Sequence, residues 1–170
     1  AIFLKDNLNQ IGADNIQIFP TNGHPIVYAE KIIDPILPTV LVYGHYDVQP
    51  ADPYELWDTD PFTLVKKNGK LFARGSADMK GYLACCLATL PTLIKADLKK
   101  PIYFAFSYDE EIGCLAAPAL IEHIKKTYVE NAKYAIIGEP SLLEPVIGKK
   151  GVCYVQTEVN GSAGHSSGIH

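Results

Sequence analysis

Short apolar runs alternate along this chain with longer stretches of helical periodicity. Three runs, rich in β-branched and aromatic residues, are each followed by acidic residues or histidine: Thr39–Tyr43, Ile102–Phe106 and Tyr134–Ile137. Runs of this length and composition are typical of buried strands in a parallel sheet. Amphipathic helices are predicted between them, one beginning near Met79 and one over Leu115–Lys126. The order strand, helix, strand, helix, strand predicts an α/β layered domain with a mainly parallel sheet.

Turn and cap signals predict further elements. Residues 1–12 have the pattern of the last turns of a helix, which Gly12 would end. Asparagine–glycine pairs at positions 22–23 and 68–69 are typical of tight hairpin turns. They predict two hairpins, which pair Asn15–Phe19 with Pro25–Glu30 and Thr63–Lys67 with Lys70–Phe72.

The pattern changes near Lys149, where apolar and polar residues begin to alternate as in a half-buried strand. We therefore predict a first domain over residues 1–149 and the first strand of an inserted α/β domain over residues 150–170, with a hinge near Gly148 and Gly151. The first helix has no start signal, and the last residues stop within a turn-like segment. We expect this sequence to be a fragment of a longer protein.

Composition and charge narrow the class of protein. The 170 residues are 48 % hydrophobic, which suits one globular domain with its own core. The net charge of −4 gives no reason to expect a nucleic acid or an anionic membrane as partner. No apolar run approaches the length of a membrane span, and no secretory signal is recognisable. The cysteines have no CxxC spacing, which favours reduced thiols in a cytoplasmic protein over zinc or disulfide roles: Cys85, Cys86, Cys114 and Cys153.

The polar residues after the three apolar runs are the candidates for chemistry. Open sheets of this class place their sites at the carboxyl ends of the strands. The sequence therefore sends five ionisable residues to one edge of the sheet: His45, Asp47, Glu110, Glu111 and Glu139. So many acidic groups repel one another unless cations neutralise them, which predicts a metal site, most simply with two metals.

Each of these residues also has a simpler reading. His45 could be an ordinary strand-end histidine, but an imidazole ligand needs a partner for its second nitrogen, and Asp47 stands where it could provide one. Asp47 could equally cap a turn. Asp78 opens a helix after a glycine-containing loop, so it is either a plain N-cap or part of the site. Glu139 precedes Pro140 and could belong to a surface turn.

The adjacent pair Glu110 and Glu111 is more informative. Neighbouring glutamates at a strand end point in different directions, so one can bind a metal while the other faces a substrate. Hydrolysis at a metal needs this division between a ligand and a base. A solvated acidic turn, which Asp109 favours, is the alternative reading. Separate surface turns do not readily explain why all three strands end in this way.

Six motifs in this order resemble a known enzyme family: GHYDVQP, WDTDPF, ARGSADMKG, SYDEEIG, IIGEPS and AGHSS. They span His45 to Ser167 and are similar to those of the acetylornithine deacetylase and succinyl-diaminopimelate desuccinylase family of di-zinc metallopeptidases. The stretch from Lys99 to Ser167 looks closest to acetylornithine deacetylase. The stretch from Tyr43 to Phe62 looks more like dipeptidases of the same superfamily.

The resemblance implies a role for each matching residue. One zinc would be held by His45 and Glu139 and the other by Glu111, with Asp78 bridging the two. Co²⁺ or Mn²⁺ could replace Zn²⁺. The resemblance also implies a cis peptide bond between Asp78 and Met79. The family's last zinc ligand, a histidine nearer the C-terminus, falls beyond residue 170.

The remaining roles are catalytic. Glu110 would be the general base and acid, and Asp47 would orient His45. His165, in the inserted dimerisation domain, would reach the site of a partner subunit and polarise the scissile carbonyl. The implied protein is a cytoplasmic homodimer with a partial catalytic metallopeptidase domain over residues 1–149.

The implied activity is the removal of an acyl group from a small N-acyl amino acid. N-acetylornithine is the first candidate, giving ornithine and acetate as in arginine biosynthesis. A dipeptidase or a succinyl-diaminopimelate desuccinylase is the alternative within the superfamily. Outside it, the chain could be an inactive metal-binding or dimerising relic, or an α/β domain whose strand-end acids merely stay in solvent.

Overall fold

A computed structural model describes residues 1–21, 23–34, 36–128, 132–158 and 160–161. The chain forms two compact units, Ala1–Pro140 and Ser141–His170. The predicted domain boundary at residues 149–150 stays a prediction. All four cysteines are described, and no disulfide joins them. No helix among the described residues is long and apolar enough to cross a membrane.

All the helices and strands of the described residues lie in the first unit. In chain order they are α1 (Ile2–Ile11), β1 (Asp14–Phe19), β2 (Ile26–Lys31), β3 (Thr39–His45), a 3₁₀ turn (Tyr54–Leu56), β4 (Val65–Lys67), β5 (Lys70–Phe72), α2 (Lys80–Lys95), β6 (Ile102–Ser107), α3 (Ala117–Tyr128) and β7 (Ala132–Ile137). The predicted α/β order is confirmed. Gly12 ends α1 in the left-handed conformation, and β4 and β5 form the predicted second hairpin.

The main sheet is mixed, which corrects the expectation of a mainly parallel sheet. Its strand order is β1-β2-β6-β3-β7. The strands β6, β3 and β7 are mutually parallel, whereas β2 is antiparallel to both β1 and β6. The antiparallel pairing of β1 with β2 confirms the predicted first hairpin, but the continuous burial of β2 does not distinguish a parallel from an antiparallel neighbour, so the sequence did not indicate its pairing with β6. The three strands whose ends carry the candidate residues do run parallel.

The predicted strand at the start of the second domain is absent from the structure. Lys150–Glu158 has no strand pairing, and its side chains are exposed. A half-buried strand needs a neighbouring strand for its backbone hydrogen bonds and an apolar surface for its inner face. The described residues of the second unit, 141–158 and 160–161, contain no strand that could supply either.

The core lies in two layers, one on each face of the sheet. On one face, α1 and α2 pack against the sheet through the buried residues Leu4, Leu8, Val27, Ala29, Leu83, Leu90, Phe104 and Phe106. On the other face lie α3 and the segment before it, with the buried residues Ile26, Tyr28, Tyr103, Ala105, Tyr108, Ala116 and Leu120. Successive residues of β2 and β6 therefore serve opposite layers, as the two-residue period of a strand requires. Because the helices lie on the two faces of the sheet, they do not cover the carboxyl ends of its strands.

His123 on α3 lies within the second layer. Its ring stacks on Phe19 with centroids 4.5 Å apart and meets Tyr28 edge-on at 5.5 Å. The Nε2 atom is buried and has no hydrogen-bond partner among the described residues. Burial lowers the pKa of His123, because the charged imidazolium would lose its hydration there.

We expect His123 to make the protein less stable in mild acid. Because the folded state binds this proton more weakly, the free energy of unfolding should fall as the pH drops through about 6.5, the pKa of an unfolded histidine. One proton can contribute at most about 1.4 kcal/mol per pH unit. Urea unfolding at pH 7.5 and 5.5 should show a smaller loss in His123→Phe, which keeps the stacked ring. The exposed His24 offers a matched control, and His24→Gln should behave as the wild type. An equal loss in His123→Phe and wild type would contradict this assignment.

Candidate metal centre

The carboxyl ends of three parallel strands form the floor of the candidate site. His45 is the last residue of β3 and pairs in register with Ser107, the last residue of β6. Glu110 and Glu111 follow shortly after β6, and Glu139 comes two residues after the end of β7. The side chain of His45 is fully buried at this edge. The parallel strands thus bring together the residues that the sequence placed on one edge.

Both ring nitrogens of His45 face oxygen atoms. Nε2 lies 3.2 Å from Oδ1 of Asp78, 3.7 Å from Oε1 of Glu139 and 3.9 Å from Oε2 of Glu110. Nδ1 lies 3.2 Å from Oδ1 of Asp47 and 3.3 Å from the Asp47 carbonyl oxygen. A neutral imidazole has only one N–H, so one nitrogen would direct its lone pair at carboxylate oxygens. The arrangement therefore requires a positive charge, either a proton on the ring or a cation among the donors.

Asp47 connects His45 to the loop that carries the two glutamates. Its Oδ2 atom accepts a hydrogen bond from the backbone N–H of Glu111 at 3.2 Å. The other oxygen, Oδ1, is buried and has no hydrogen bond in the described structure, although it lies close to Nδ1 of His45. One carboxylate thus contacts a histidine on β3 and the backbone after β6.

A glycine turn and a cis peptide bond place Asp78 against His45. The bond between Asp78 and Met79 is cis, as the family resemblance implied. Met79 is fully buried, and its Sδ accepts a hydrogen bond of 3.2 Å from the backbone N–H of His45. Gly75 has φ +79°, and a Cβ there would lie 2.4 Å from Cγ1 of Val48. The loop can therefore make this close approach only with glycine at position 75.

The donor atoms fall into two overlapping groups that share His45. One group contains Glu110 and Glu139, the other contains Asp78 and Glu111, and the donor atoms of each lie within 4.8 Å of one another. Imidazole and carboxylate donors at this separation suit Zn²⁺, Co²⁺ or Mn²⁺. The residues therefore fit a divalent metal, but Nε2 of His45 has one lone pair and can bind only one ion, so a second metal would be held by carboxylates. Glu110 is near enough to be a ligand, so the distances alone do not separate that role from its predicted role as base.

Several neighbours of the site were not predicted from the sequence. Gln49 donates from Nε2 to the carbonyl oxygen of Glu111 at 2.8 Å and to its Oε2 at 3.1 Å. Cys114 places its Sγ 3.7 Å from Oε1 of Glu110. Gln49 lies within the GHYDVQP motif, so its position was a usable signal, whereas nothing in the sequence distinguished Cys114.

A tyrosine–serine pair lies beside the carboxylates. The hydroxyl groups of Tyr43 and Ser107 are 2.7 Å apart. Burial raises the pKa of Tyr43, and the neighbouring Cys114, Glu110 and Glu139 raise it further. The tyrosine therefore stays a neutral hydroxyl beside these acids. His165, the last predicted site residue, lies outside the described residues.

The sequence and the structure were compared with known proteins. The sequence model that describes peptidase family M20/M25/M40 matches residues 41–165 of this chain. Acetylornithine deacetylase of Myxococcus xanthus is 40 % identical over 124 residues, which make up 73 % of this chain and 30 % of that protein.

Solved structures agree with this relationship. The M20 family metallo-carboxypeptidase Sso-CP2 from Sulfolobus solfataricus matches with a TM-score of 0.72 and 32 % identity, covering 81 % of this chain and 31 % of that one. Human carnosine dipeptidase 1 matches with a TM-score of 0.70 and 32 % identity, covering 80 % of this chain and 31 % of that one.

The family match begins within β3 and includes the candidate ligands of the first unit. The chain spans about a third of the length of the relatives that it matches. The family match includes every residue from His45 to Glu139 that the sequence assigned to the site. The chain belongs to peptidase family M20/M25/M40.

Proposed function

We propose that this chain carries most of the active site of a metal-dependent amidohydrolase that removes the acyl group from a small N-acyl amino acid. The observation that supports this most is the convergence of Asp78, Glu110 and Glu139 on the buried His45 at the end of three parallel strands. N-acetylornithine is the first substrate candidate, because the chain is 40 % identical to an acetylornithine deacetylase over 73 % of its length. The products would be ornithine and acetate.

Four residues would hold two zinc ions in this proposal. His45 and Glu139 bind one, Glu111 binds the other, and Asp78 bridges them. When bound, such metals lower the pKa of water and polarise a carbonyl group. The carboxylate of Asp47, whose Oδ1 lies 3.2 Å from Nδ1 of His45, would accept a hydrogen bond from the Nδ1–H, which would leave the Nε2 lone pair free to act as a ligand.

Glu110 is the base in this proposal. One of its carboxylate oxygens takes a proton from the attacking water, whose oxygen bonds to the acyl carbon. The carbon–nitrogen bond then breaks, and Glu110 passes the proton to the departing amine. Each turnover consumes one water and leaves Glu110 as it began. The Sγ atom of Cys114, 3.7 Å from Oε1 of Glu110, lies beside this proton path.

The second candidate is a dipeptidase of the same family. The similarity to human carnosine dipeptidase 1 favours it, as does the GHYDVQPADP motif. Both reactions hydrolyse an amide and need the same metals and base. They differ in whether the acyl group carries an amino group of its own.

His165 and a partner subunit would complete the site. In this proposal the imidazole of His165 donates a hydrogen bond to the oxygen that gains charge as the carbonyl is attacked. The full protein would then be a homodimer in which each subunit contributes to its neighbour's site.

The two glutamates should respond differently to substitution. Glu110→Ala should lower kcat by at least about 10³-fold and leave the zinc content nearly unchanged, because its carboxylate serves the water. Glu111→Ala should lose zinc as well as turnover. Zinc content by atomic absorption, measured beside steady-state kinetics, checks this on the longest natural form that contains this chain. Equal loss of zinc in both variants would mean that the roles of base and metal ligand are assigned wrongly within this pair.

Substrate preference separates the two candidate activities. We expect kcat/KM for N-acetylornithine to exceed that for carnosine and for succinyl-diaminopimelate by at least about 10²-fold, because a pocket shaped for one acyl group leaves polar groups unpaired with another. Product amines can be measured with ninhydrin. A preference for carnosine would favour the dipeptidase, and zinc binding without turnover of any of them would favour the relic.

A mixing experiment tests the shared site. His165→Ala and Glu110→Ala subunits should each be nearly inactive, since losing the hydrogen bond to the oxyanion costs about 10²–10³ in kcat. Heterodimers of the two contain one site with an intact Glu110 and an intact partner His165. Activity should therefore recover on mixing. Failure to recover, in a mixture shown by mass spectrometry to have exchanged subunits, would contradict the shared site.

A further inference from the structure

The ring of Tyr82 lies across the ends of two strands. Tyr82 stands in the first turn of α2, four residues after Asp78. A Cβ built on Gly138 would lie 2.1–2.3 Å from Cγ, Cδ1 and Cδ2 of the Tyr82 ring. A Cβ built on Gly44 would lie 3.3 Å from Cδ1 of the same ring. The ring therefore packs directly on the backbone of Gly138 and also reaches Gly44.

Each of these glycines immediately precedes a candidate ligand. Gly44 precedes His45 at the end of β3, and Gly138 precedes Glu139 after β7. The backbone N–H of Gly138 donates to the carbonyl oxygen of Tyr43 at 3.4 Å, so the two strand ends are joined. The Tyr82 hydroxyl donates to the carbonyl oxygen of Ile136 at 3.4 Å. One side chain of α2 thus contacts both strand ends just before they present their ligands.

We propose that Tyr82 is a positioning residue of the metal centre, whose ring fixes the separation of His45 and Glu139 and holds both against the helix that follows Asp78. This inference rests on the proposed function, since it concerns the same metal. It explains why glycine precedes Glu139, whereas at Gly44 a Cβ would meet Leu83 and Met79 before the ring. Any side chain at Gly138 would occupy the space of the ring.

The alternative is that Tyr82 only fills space at the end of the core. Burial raises the pKa of the Tyr82 hydroxyl, and Cys86, one turn further along α2, raises it further, so the side chain is partly enclosed by its own helix. A purely structural role predicts that its loss lowers stability and leaves the metal affinity of the folded protein unchanged. Metal affinity is therefore the measurement that distinguishes the two roles.

The experiment compares five variants with the wild type, each made in the longest natural form that contains this chain. Zinc affinity is measured by competition with a chromophoric chelator, and thermal unfolding is measured without metal. Tyr82→Ala should weaken zinc binding about 10- to 100-fold, as the loss of residues that orient ligands does. Tyr82→Phe keeps the ring and should bind within about threefold of the wild type. Leu87→Ala, from the same helix and also packed on the core, should leave the affinity unchanged.

Gly138→Ala provides a second, independent test of the positioning role. Its methyl group collides with the ring in the wild-type background and should weaken zinc binding about as much as Tyr82→Ala. In the Tyr82→Ala background the same methyl meets no ring, so Gly138→Ala should add less than about a twofold further loss.

The outcomes separate this inference from the proposed function. A wild-type chain that binds no zinc would overturn both. A wild type that binds zinc, with Tyr82→Ala folded and binding equally well, would overturn only the positioning role. A loss in Leu87→Ala as large as in Tyr82→Ala would also overturn it, because general destabilisation of α2 would then be sufficient. If Tyr82→Ala does not fold, an unchanged affinity in Gly138→Ala would decide against the role.

Discussion

Four carboxylates surround one fully buried imidazole, and the rest of the first unit is arranged around this unfavourable grouping. Like charges this close raise one another's free energy in proportion to their burial, and a histidine in their midst offers them only one proton. A divalent cation removes the conflict, because it accepts lone pairs from the imidazole and the carboxylates together. In the proposed metal centre, the attraction between these carboxylates and the cation would contribute to metal binding.

The fold satisfies this constraint by delivering each charged group from a rigid element. Strands β3 and β6 are covered on their faces by α1, α2 and α3, whereas the edge strand β7 is exposed, and the candidate residues follow the carboxyl ends of all three. The groups that could not come from strand ends are held by specific contacts. The sulfur of Met79 contacts the backbone of His45, and the Asp47 carboxylate accepts the backbone N–H of Glu111. Small displacements of any one segment would change the distances of all the donors.

Prediction from sequence succeeded where a local pattern and a general rule of topology acted together. The apolar runs that end in charged residues predicted which side chains share one edge of the sheet. The family motifs predicted Asp78 as a site residue and the cis bond after it. The sequence predicted the antiparallel pairing of β1 with β2 but not that β2 joins the main sheet antiparallel to β6, because a strand buried on both faces has the same composition beside a parallel or an antiparallel neighbour. It also failed for the strand expected after Lys150, since an alternating pattern forms a strand only when a partner pairs with it.

The amino-acid sequence alone predicted the candidate metal site, because histidine and carboxylates that follow apolar runs can be read directly from their order. It also determined most of the elements, whose periodicity and turn residues are local properties. Only the tertiary structure decided which groups meet: Gln49 at Glu111, Cys114 at Glu110, and the ring of Tyr82 on Gly138. These contacts join residues far apart in the chain. Their distances depend on how the helices pack on the sheet, which no local pattern specifies.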